Sequence, residues 1–399
     1  MTIQHDPAHG REPDREPPGC EPADPAIPGP GRPAAEYLAT GPGFAEGEVI
    51  ERIGAFRRRR PRLLDEVVTL AHGAGGKSSA ALVDAVFIEA FGNEHLEALG
   101  DGAVLALPGG GRLALSTDSF VVRPLRFPGG SIGHLAVHGT ANDLAVCGAR
   151  PAWLSAAFVI EEGFPVADLR EIAADMACAA AEAGVQIVTG DTKVVAAGSA
   201  DKLFITTAGV GVIPAQRALA PSAVRPGDRV LLSGTMGDHG MAVMLARGDL
   251  AIEADIRSDT AAIGPAAEAL LAAAPGTRWL RDPTRGGVGT VCNELAQATG
   301  LGVVLDERRL PVRPAVNGAC EMLGIDPLYV ANEGKFLAVV AAEQADAALA
   351  ALRAHPLGRE AELIGEIAAQ PAATVVLRTA FGSTRIVDML VGDPLPRIC

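Results

Sequence analysis

The sequence predicts an α/β protein of two layered domains, and three observations predict it. From about Val67 onward, short β-branched runs alternate with longer Ala-rich stretches of helical spacing, the pattern of strands and helices packed in layers. The chain has 399 residues, 48% of them hydrophobic and 21% charged. That suffices for about two cores at roughly 150 residues each. The stretch from Pro214 to Pro226 reads as the connection between them.

Ten of the 29 prolines precede residue 43, mixed with Gly, Asp and Glu. Such a stretch cannot offset its own ordering entropy, so residues 1–66 are expected to be a disordered Pro/Arg-rich extension. Arg57, Arg58, Arg59, Arg60 and Arg62 around Pro61 read as a solvated linker. In the first domain, residues 67–215, a strand from Val67 to Leu70 is expected to lead into a Gly-rich loop. Strands from Val104 to Leu107 and Arg112 to Ser116 pair across Pro108-Gly109-Gly110-Gly111. A helix from Ile132 to Cys147, a strand from Leu154 to Ile160, and strands from Gln186 to Thr189 and Leu203 to Val212 complete it. Between them Leu169, Ile172, Ala173, Met176 and Ala180 recur at three- and four-residue spacing, which predicts a helix from Val166 to Ala183. The second domain, residues 216–390, opens with a strand from Arg229 to Leu232 and the turn Ser233-Gly234-Thr235-Met236-Gly237-Asp238 before a helix. Helices from Ile263 to Ala274 and Val288 to Thr299 follow, with strands near Gly302 to Leu305, Phe336 to Val340 and Ala361 to Glu366. Residues 391–399 carry two prolines and are expected to be a mobile tail ending in Cys399.

Charge and cysteine usage exclude several classes. The formal net charge of -14 repels nucleic acid and anionic membrane surfaces at long range. No stretch approaches the ~18 apolar residues of a membrane span, and the first residues lack an apolar signal core. The six cysteines form no C-x-x-C pair, which fits a soluble protein of the reducing cytoplasm.

Of the 34 basic side chains only four are lysines: Lys77, Lys193, Lys202 and Lys335. Where arginine is so favoured, a retained lysine suggests a site needing a compact ammonium or a tunable pKa. Lys77 closes His72-Gly73-Ala74-Gly75-Gly76-Lys77-Ser78-Ser79, which misses the Walker spacing because residue 71 is Ala. It reads as a nucleotide-phosphate loop of another type, with a plain strand-to-helix turn as the competing reading. Asp101, Asp118, Asp143 and Asp191 fall at expected strand ends or turns, and several carboxylates near a phosphate loop suit magnesium. Asn332-Glu333-Gly334-Lys335 sets a carboxylate beside a scarce lysine, an acid/base candidate. His134 and His138 lack a third ligand and read as ordinary side chains. Arg281-Asp282-Pro283-Thr284-Arg285-Gly286-Gly287 reads as a loop entering a helix.

Together these motifs resemble the hydrogenase maturation factor HypE family, of the superfamily that includes aminoimidazole ribonucleotide synthetase, thiamine-phosphate kinase and selenophosphate synthetase. The residues that carry the resemblance are LAHGAGGK (Leu70 to Lys77), STDSFVV (Ser116 to Val122), GTANDLAVCGA (Gly139 to Ala149), VTGDTKVV (Val188 to Val195), SGTMGDHG (Ser233 to Gly240), TRGGV (Thr284 to Val288), ANEGK (Ala331 to Lys335) and the terminal PRIC (Pro396 to Cys399). It covers about Val67 to Cys399; the extension before Val67 and Pro283 depart from the pattern.

The resemblance implies a two-domain fold, an N-terminal mixed-sheet domain for ATP and dimerisation and a C-terminal α/β domain. It also implies an ATP-dependent dehydratase acting on its own Cys399. The thiol receives a carbamoyl group from the carbamoyltransferase HypF, and ATP-dependent dehydration turns it into a thiocyanate. The cyano group then passes to iron on a HypC-HypD complex for the [NiFe]-hydrogenase centre. On this chain Gly73, Gly75, Gly76, Lys77, Asp118, Asn142, Asp143 and Thr192 would hold ATP. Asp101, Asp118, Asp143 and Asp191 would hold Mg2+, while Lys193 and Glu333 would orient and deprotonate the carbamoyl nitrogen. A homodimer with ATP near its interface is implied as well. A small-molecule kinase or synthetase of the same superfamily, or a non-catalytic scaffold, are the alternatives.

Overall fold

A computed structural model describes residues 62–248, 254–390 and 392. Most of the expected extension and linker, and Cys399 with the tail other than Gly392, lie outside the described residues. The first sheet contains β1 (Ala103–Ala106), β2 (Arg112–Phe120), β5 (Arg150–Glu161), β6 (Gln186–Val195) and β7 (Leu203–Ile213); β3 (Arg126–Phe127) and β4 (Gly130–Ser131) form a separate small pair. Its order is β1-β2-β7-β5-β6, antiparallel except for the parallel β5–β6 pair. That parallel pair needs a crossover, supplied by a helix over Val166–Ala183. The helix starts after Pro165 and stops at left-handed Gly184.

Period-two alternation decides which face of this sheet is covered. Ala114, Phe120, Leu154, Ala156, Leu203 and Ile205 point inward and are buried, whereas Leu115, Trp153 and Val212 on the opposite face are 41%, 50% and 54% exposed. Against the inward face lies the helix Ile132–Val146, buried on nearly all sides because it is also covered by the second half of the chain. Its Leu135 and Ala136 pack with Leu154 and Ile205, while Ala145 and Val146 near its end pack with Ile263, Ala266 and Leu270.

The second sheet contains β8 (Arg229–Leu232), β9 (Thr277–Arg281), β10 (Gly302–Asp306), β11 (Leu337–Val340), β12 (Glu362–Ala368), β13 (Val375–Arg378) and β14 (Thr384–Val387), in the order β14-β13-β10-β12-β8-β11-β9. Its central strands are apolar on both faces and so read as unbroken hydrophobic runs. Val230, Leu232, Leu337 and Val339 face the helix Gly287–Thr299, and Leu231, Ala338 and Val340 face the helices Gly264–Ala273 and Ala345–Ala354. Among the described residues the α-helices of six or more residues are α1 (Lys77–Leu82), α2 (Ile132–Val146), α3 (Val166–Ala183), α4 (Asp238–Ala246), α5 (Gly264–Ala273), α6 (Gly287–Thr299), α7 (Pro314–Leu323) and α8 (Ala345–Ala354). Among the described residues no helix is long and apolar enough to cross a membrane.

Three expectations about local structure are corrected. Val67 to Leu70 is not a strand: among the described residues no strand pairs with it. Leu70–Gly73 is instead a tight helical turn, with the Thr69 N–H donating to His72 Nδ1 at 2.9 Å. β6 runs to Val195 rather than Thr189, because β5 offers a parallel partner as far as Glu161; Asp191, Thr192 and Lys193 are therefore strand residues. The elements β9, β13, β14, α7 and α8 were not anticipated. Short strands such as β13 and β14 carry too few residues to show a period of their own.

Candidate active site

A polar cavity of about 270 Å³ opens where the two halves meet, with Asp101, Asp118, Asp143, Asp282, Arg285 and Glu333 among its walls. Each comes from a different piece of chain: the loop before β1, β2, α2, the end of β9, the loop into α6, and the loop before β11. The glycine-rich loop adds Gly75, whose φ of 79° is left-handed and whose added Cβ would stand 2.9 Å from Arg285 Cβ. Glycine is required there for both reasons.

Asp101, Asp143 and Asp282 each present a carboxylate oxygen within 4.8 Å of the others, and no other such trio occurs among the described residues. Ser116 Oγ donates to Asp143 Oδ2 at 2.5 Å. Arg281 braces the group from one side: its Nε lies 2.8 Å from Asp101 Oδ1 and its Nη2 3.0 Å from Glu294 Oε2. Burial pushes the Asp101 and Asp143 carboxyls well above the usual range, and neighbouring carboxylates push the same way; Arg281 works against this at Asp101. Asp282 is pushed up to about 6, again by burial first, with Arg281 opposing. Asp118 is raised by burial and relieved by Arg285. Glu333 is raised well above its ordinary value by burial and by Asp282, Asp118 and Asp259. Crowded buried carboxylates of this kind are short of positive charge, and hard oxygen donors so arranged suit Mg2+.

The structure thus brings together Gly75, Asp101, Asp118, Asp143 and Glu333 of the expected site. It places the others elsewhere. Lys77 points to the far end of the chain: its ammonium is 3.2 Å from Asp388 Oδ2 and its N–H donates to Leu390 O at 2.9 Å. Gly73 and Gly76 are not in the cavity wall. Asp191, Thr192 and Lys193 lie on the outer edge strand β6, exposed, with Lys193 Nζ 2.7 Å from Asp191 Oδ2. Along the row Asp118–Thr207–Ala156–Gly190 three strand spacings intervene, about 14 Å, so Asp191 cannot share an ion with Asp118 of its own chain. Asn142 is buried with its side chain spent inside the protein: Nδ2 donates to Ala261 O and Glu333 O, and Oδ1 accepts from Ile263 N. Lys335 pairs with Asp259 at 3.1 Å rather than with Glu333. Burial pushes the Asp259 carboxyl up, but Lys335 and His239 outweigh this and hold it below the usual range. Cys399 is outside the described residues.

Sequence reasoning missed Glu294, and gave no chemistry to Arg281, Asp282 and Arg285, whose segment it read only as a loop entering a helix. Two charges directly after the apolar Trp279-Leu280 pair, at the end of a strand, were the available signal for Arg281 and Asp282. His134 Nδ1 is 3.1 Å from Ser131 Oγ and His138 Nδ1 is 3.1 Å from Thr260 Oγ1.

Comparison with known proteins gives consistent matches. Residues 99–213 match the N-terminal domain of the AIR synthase related proteins, and residues 225–378 match their C-terminal domain. A carbamoyl dehydratase HypE from Cupriavidus necator is 54% identical over 332 residues, 83% of this chain and 95% of the relative. Among solved structures, that of a HypE-HypF complex superposes with a TM-score of 0.74 at 48% identity, covering 78% of this chain and all of the matched one. The structure of the hydrogenase maturation protein HypE in complex with ATP gives 0.70 at 45% identity, covering 84% of this chain and all of the matched one.

Proposed function

The chain belongs to the carbamoyl dehydratase HypE family of hydrogenase maturation, and we propose that it carries out ATP-dependent dehydration of an S-carbamoyl group on its own Cys399. The observation that carries this reading is the meeting of Glu333 with the Asp101–Asp143–Asp282 trio in one buried cavity. The three carboxylates fit Mg2+, and the cation would neutralise charge on the phosphoryl group in transfer.

In this reading the carbamoyl oxygen takes the γ-phosphoryl group of ATP, releasing ADP. The carbamoyl nitrogen gives up one proton as the O–P bond forms and a second as the C–O bond breaks. Phosphate departs and Cys399 is left as a thiocyanate. Glu333 is the proton acceptor: burial first, and then neighbouring carboxylates, raise its proton affinity, which favours acceptance once positive charge in the cavity allows it to ionise. Arg285, in the same wall, is placed to meet phosphate oxygens. Gly75 lets that loop approach closely.

HypF is the proposed carbamoyl donor, in line with the similar HypE-HypF complex, and HypC-HypD the acceptor of the cyano group. The open face of the first sheet, with Leu115, Trp153 and Val212, supports a homodimer. A part for Lys193 then requires a second copy, because in its own chain it sits across the sheet from Asp118. That part would need the β6 edge of one copy to reach the cavity of the other. Keeping Cys399 as a free thiol fits a reducing cytoplasm.

Intact-mass analysis after incubation with HypF and carbamoyl phosphate tests the proposal, with Mg-ATP added in a second step. The expected result is a carbamoyl adduct on Cys399 that loses one water only with Mg-ATP. An adduct that persists would leave a carrier, and no adduct together with turnover of a small-molecule phosphate acceptor would favour a kinase.

A further inference from the structure

We propose that Asn142 is a positioning residue of the reaction, which fixes Glu333 of the C-terminal half at a set distance from the acidic trio; the proposal rests on the reading of Glu333 as proton acceptor. Asn142 and Asp143 are neighbours on α2. Asp143 turns into the cavity, and Asn142, 2% exposed, turns toward the second half of the chain.

The Asn142 amide bridges three main-chain groups. Its Nδ2 donates to Ala261 O at 3.0 Å and Glu333 O at 3.1 Å, and its Oδ1 accepts from Ile263 N at 2.9 Å. Both amide protons are used, so the side chain has no donor left for a nucleotide. The Glu333 loop is held from its other side by the same stretch of chain. The Glu333 N–H donates to Asp259 Oδ1 at 3.1 Å, and Asp259 Oδ2 is 3.1 Å from Lys335 Nζ. At Gly334 an added Cβ would fall 1.8 Å from Asp259 O, so only glycine lets the loop lie this close. Asn332 ties the loop back to the chain after Asp282, with Nδ2 donating to Pro283 O at 3.0 Å.

Glu333 is therefore clamped at both its N–H and its C=O. The C=O clamp comes from α2, the helix that carries Asp143. One rigid helix then sets both the acidic trio and the reach of the base, and displacement of a reacting group by about 1 Å is worth around a hundredfold in rate. Removal of the amide would leave the Glu333 carbonyl unpaired in a buried place and free the loop to shift.

The test uses the full chain carbamoylated on Cys399 by HypF, with the rate of water loss read by intact mass at saturating Mg-ATP, and ATP affinity read separately. Asn142→Asp keeps the acceptor for Ile263 N but can supply at most one of the two donors, and Asn142→Ala loses all three bonds. Each is expected to slow water loss by about 10–100-fold while ATP affinity stays within about twofold. Combining Asn142→Asp with Glu333→Gln should cost little beyond Glu333→Gln alone, because the two changes act on one step. A wild-type rate in Asn142→Asp, effects that multiply in the double variant, or parallel loss of ATP binding in both single variants would overturn the proposal. If Glu333→Gln itself dehydrates at the wild-type rate, it is the reading of Glu333 as base that has failed.

Discussion

The seam between the two halves and the open edge of the first sheet carry the same kinds of side chain and treat them in opposite ways. At the seam, burial and mutual repulsion raise the proton affinity of Asp101, Asp143 and Asp282, which are packed into one cavity. On β6, Asp191 is exposed and its carboxyl is held below the usual range by the hydrogen bond from Lys193. Residue type alone therefore says little about chemistry. The reactive environment is made by the second half of the chain closing over the first, and the edge lacks such a cover within one copy.

The largest effect expected from this contrast is at Glu333. Glu333→Gln should slow water loss from the carbamoylated protein by about 10²–10⁴-fold, the usual reach of a general base, as read by intact mass. Next, Asp282→Asn should weaken the Mg2+ dependence of ATP turnover by about 10–100-fold, whereas Asp191→Asn should leave that dependence within about twofold. An equal loss in both would break the contrast between seam and edge. Lys193→Ala should cost about tenfold, in the lower range for groups that orient a reacting atom. Mixing it with Glu333→Gln protein should restore part of the rate if the edge of one copy completes the cavity of another; absence of any restoration would confine the chemistry to one chain.

The smallest effect concerns stability. Burial lowers the pKa of His138, on the seam helix α2, to about 4, with Glu182 opposing and His134 adding to the shift. The unfolded chain then binds a proton that the folded chain refuses between about pH 6.5 and pH 4, so this contribution is present above that window and lost as pH falls through it. Thermal unfolding of wild type and His138→Gln across the window should show a steeper acid-side decline for wild type. Parallel curves would show that His138 does not contribute.

Much of the fold was legible because local pattern and tertiary demand agree. α3 is read correctly from its spacing, with Pro165 and Gly184 marking its ends. β8 and β11 stand out as apolar runs because both faces of their sheet are covered. β6 was cut short because Gly190 and Asp191 look like turn residues, and what extends the strand is a partner distant in sequence. The site was legible by parts. Asp101, Asp118, Asp143 and Glu333 were singled out from local texture, but Asp282 joins them through the meeting of β9 with α2, two segments far apart in sequence, so the charges after Trp279-Leu280 show a strand end without showing what it meets. Asn142 and Asp143 show the same limit in miniature. They are neighbours on one helix, and only the packing on either side tells which faces the cavity.

The bonds from Lys77 to Asp388 and Leu390 moor the last strand segment against the glycine-rich loop. From Leu390 to Cys399 the chain has nine further residues, and nine residues span at most about 30 Å. If Cys399 carries the group to be dehydrated, as proposed, substrate and cavity belong to one chain and their encounter is governed by an effective concentration set by that reach. Saturation would then be a matter of geometry rather than supply, and the rate should be indifferent to dilution of the protein for as long as the copies that form the site stay together.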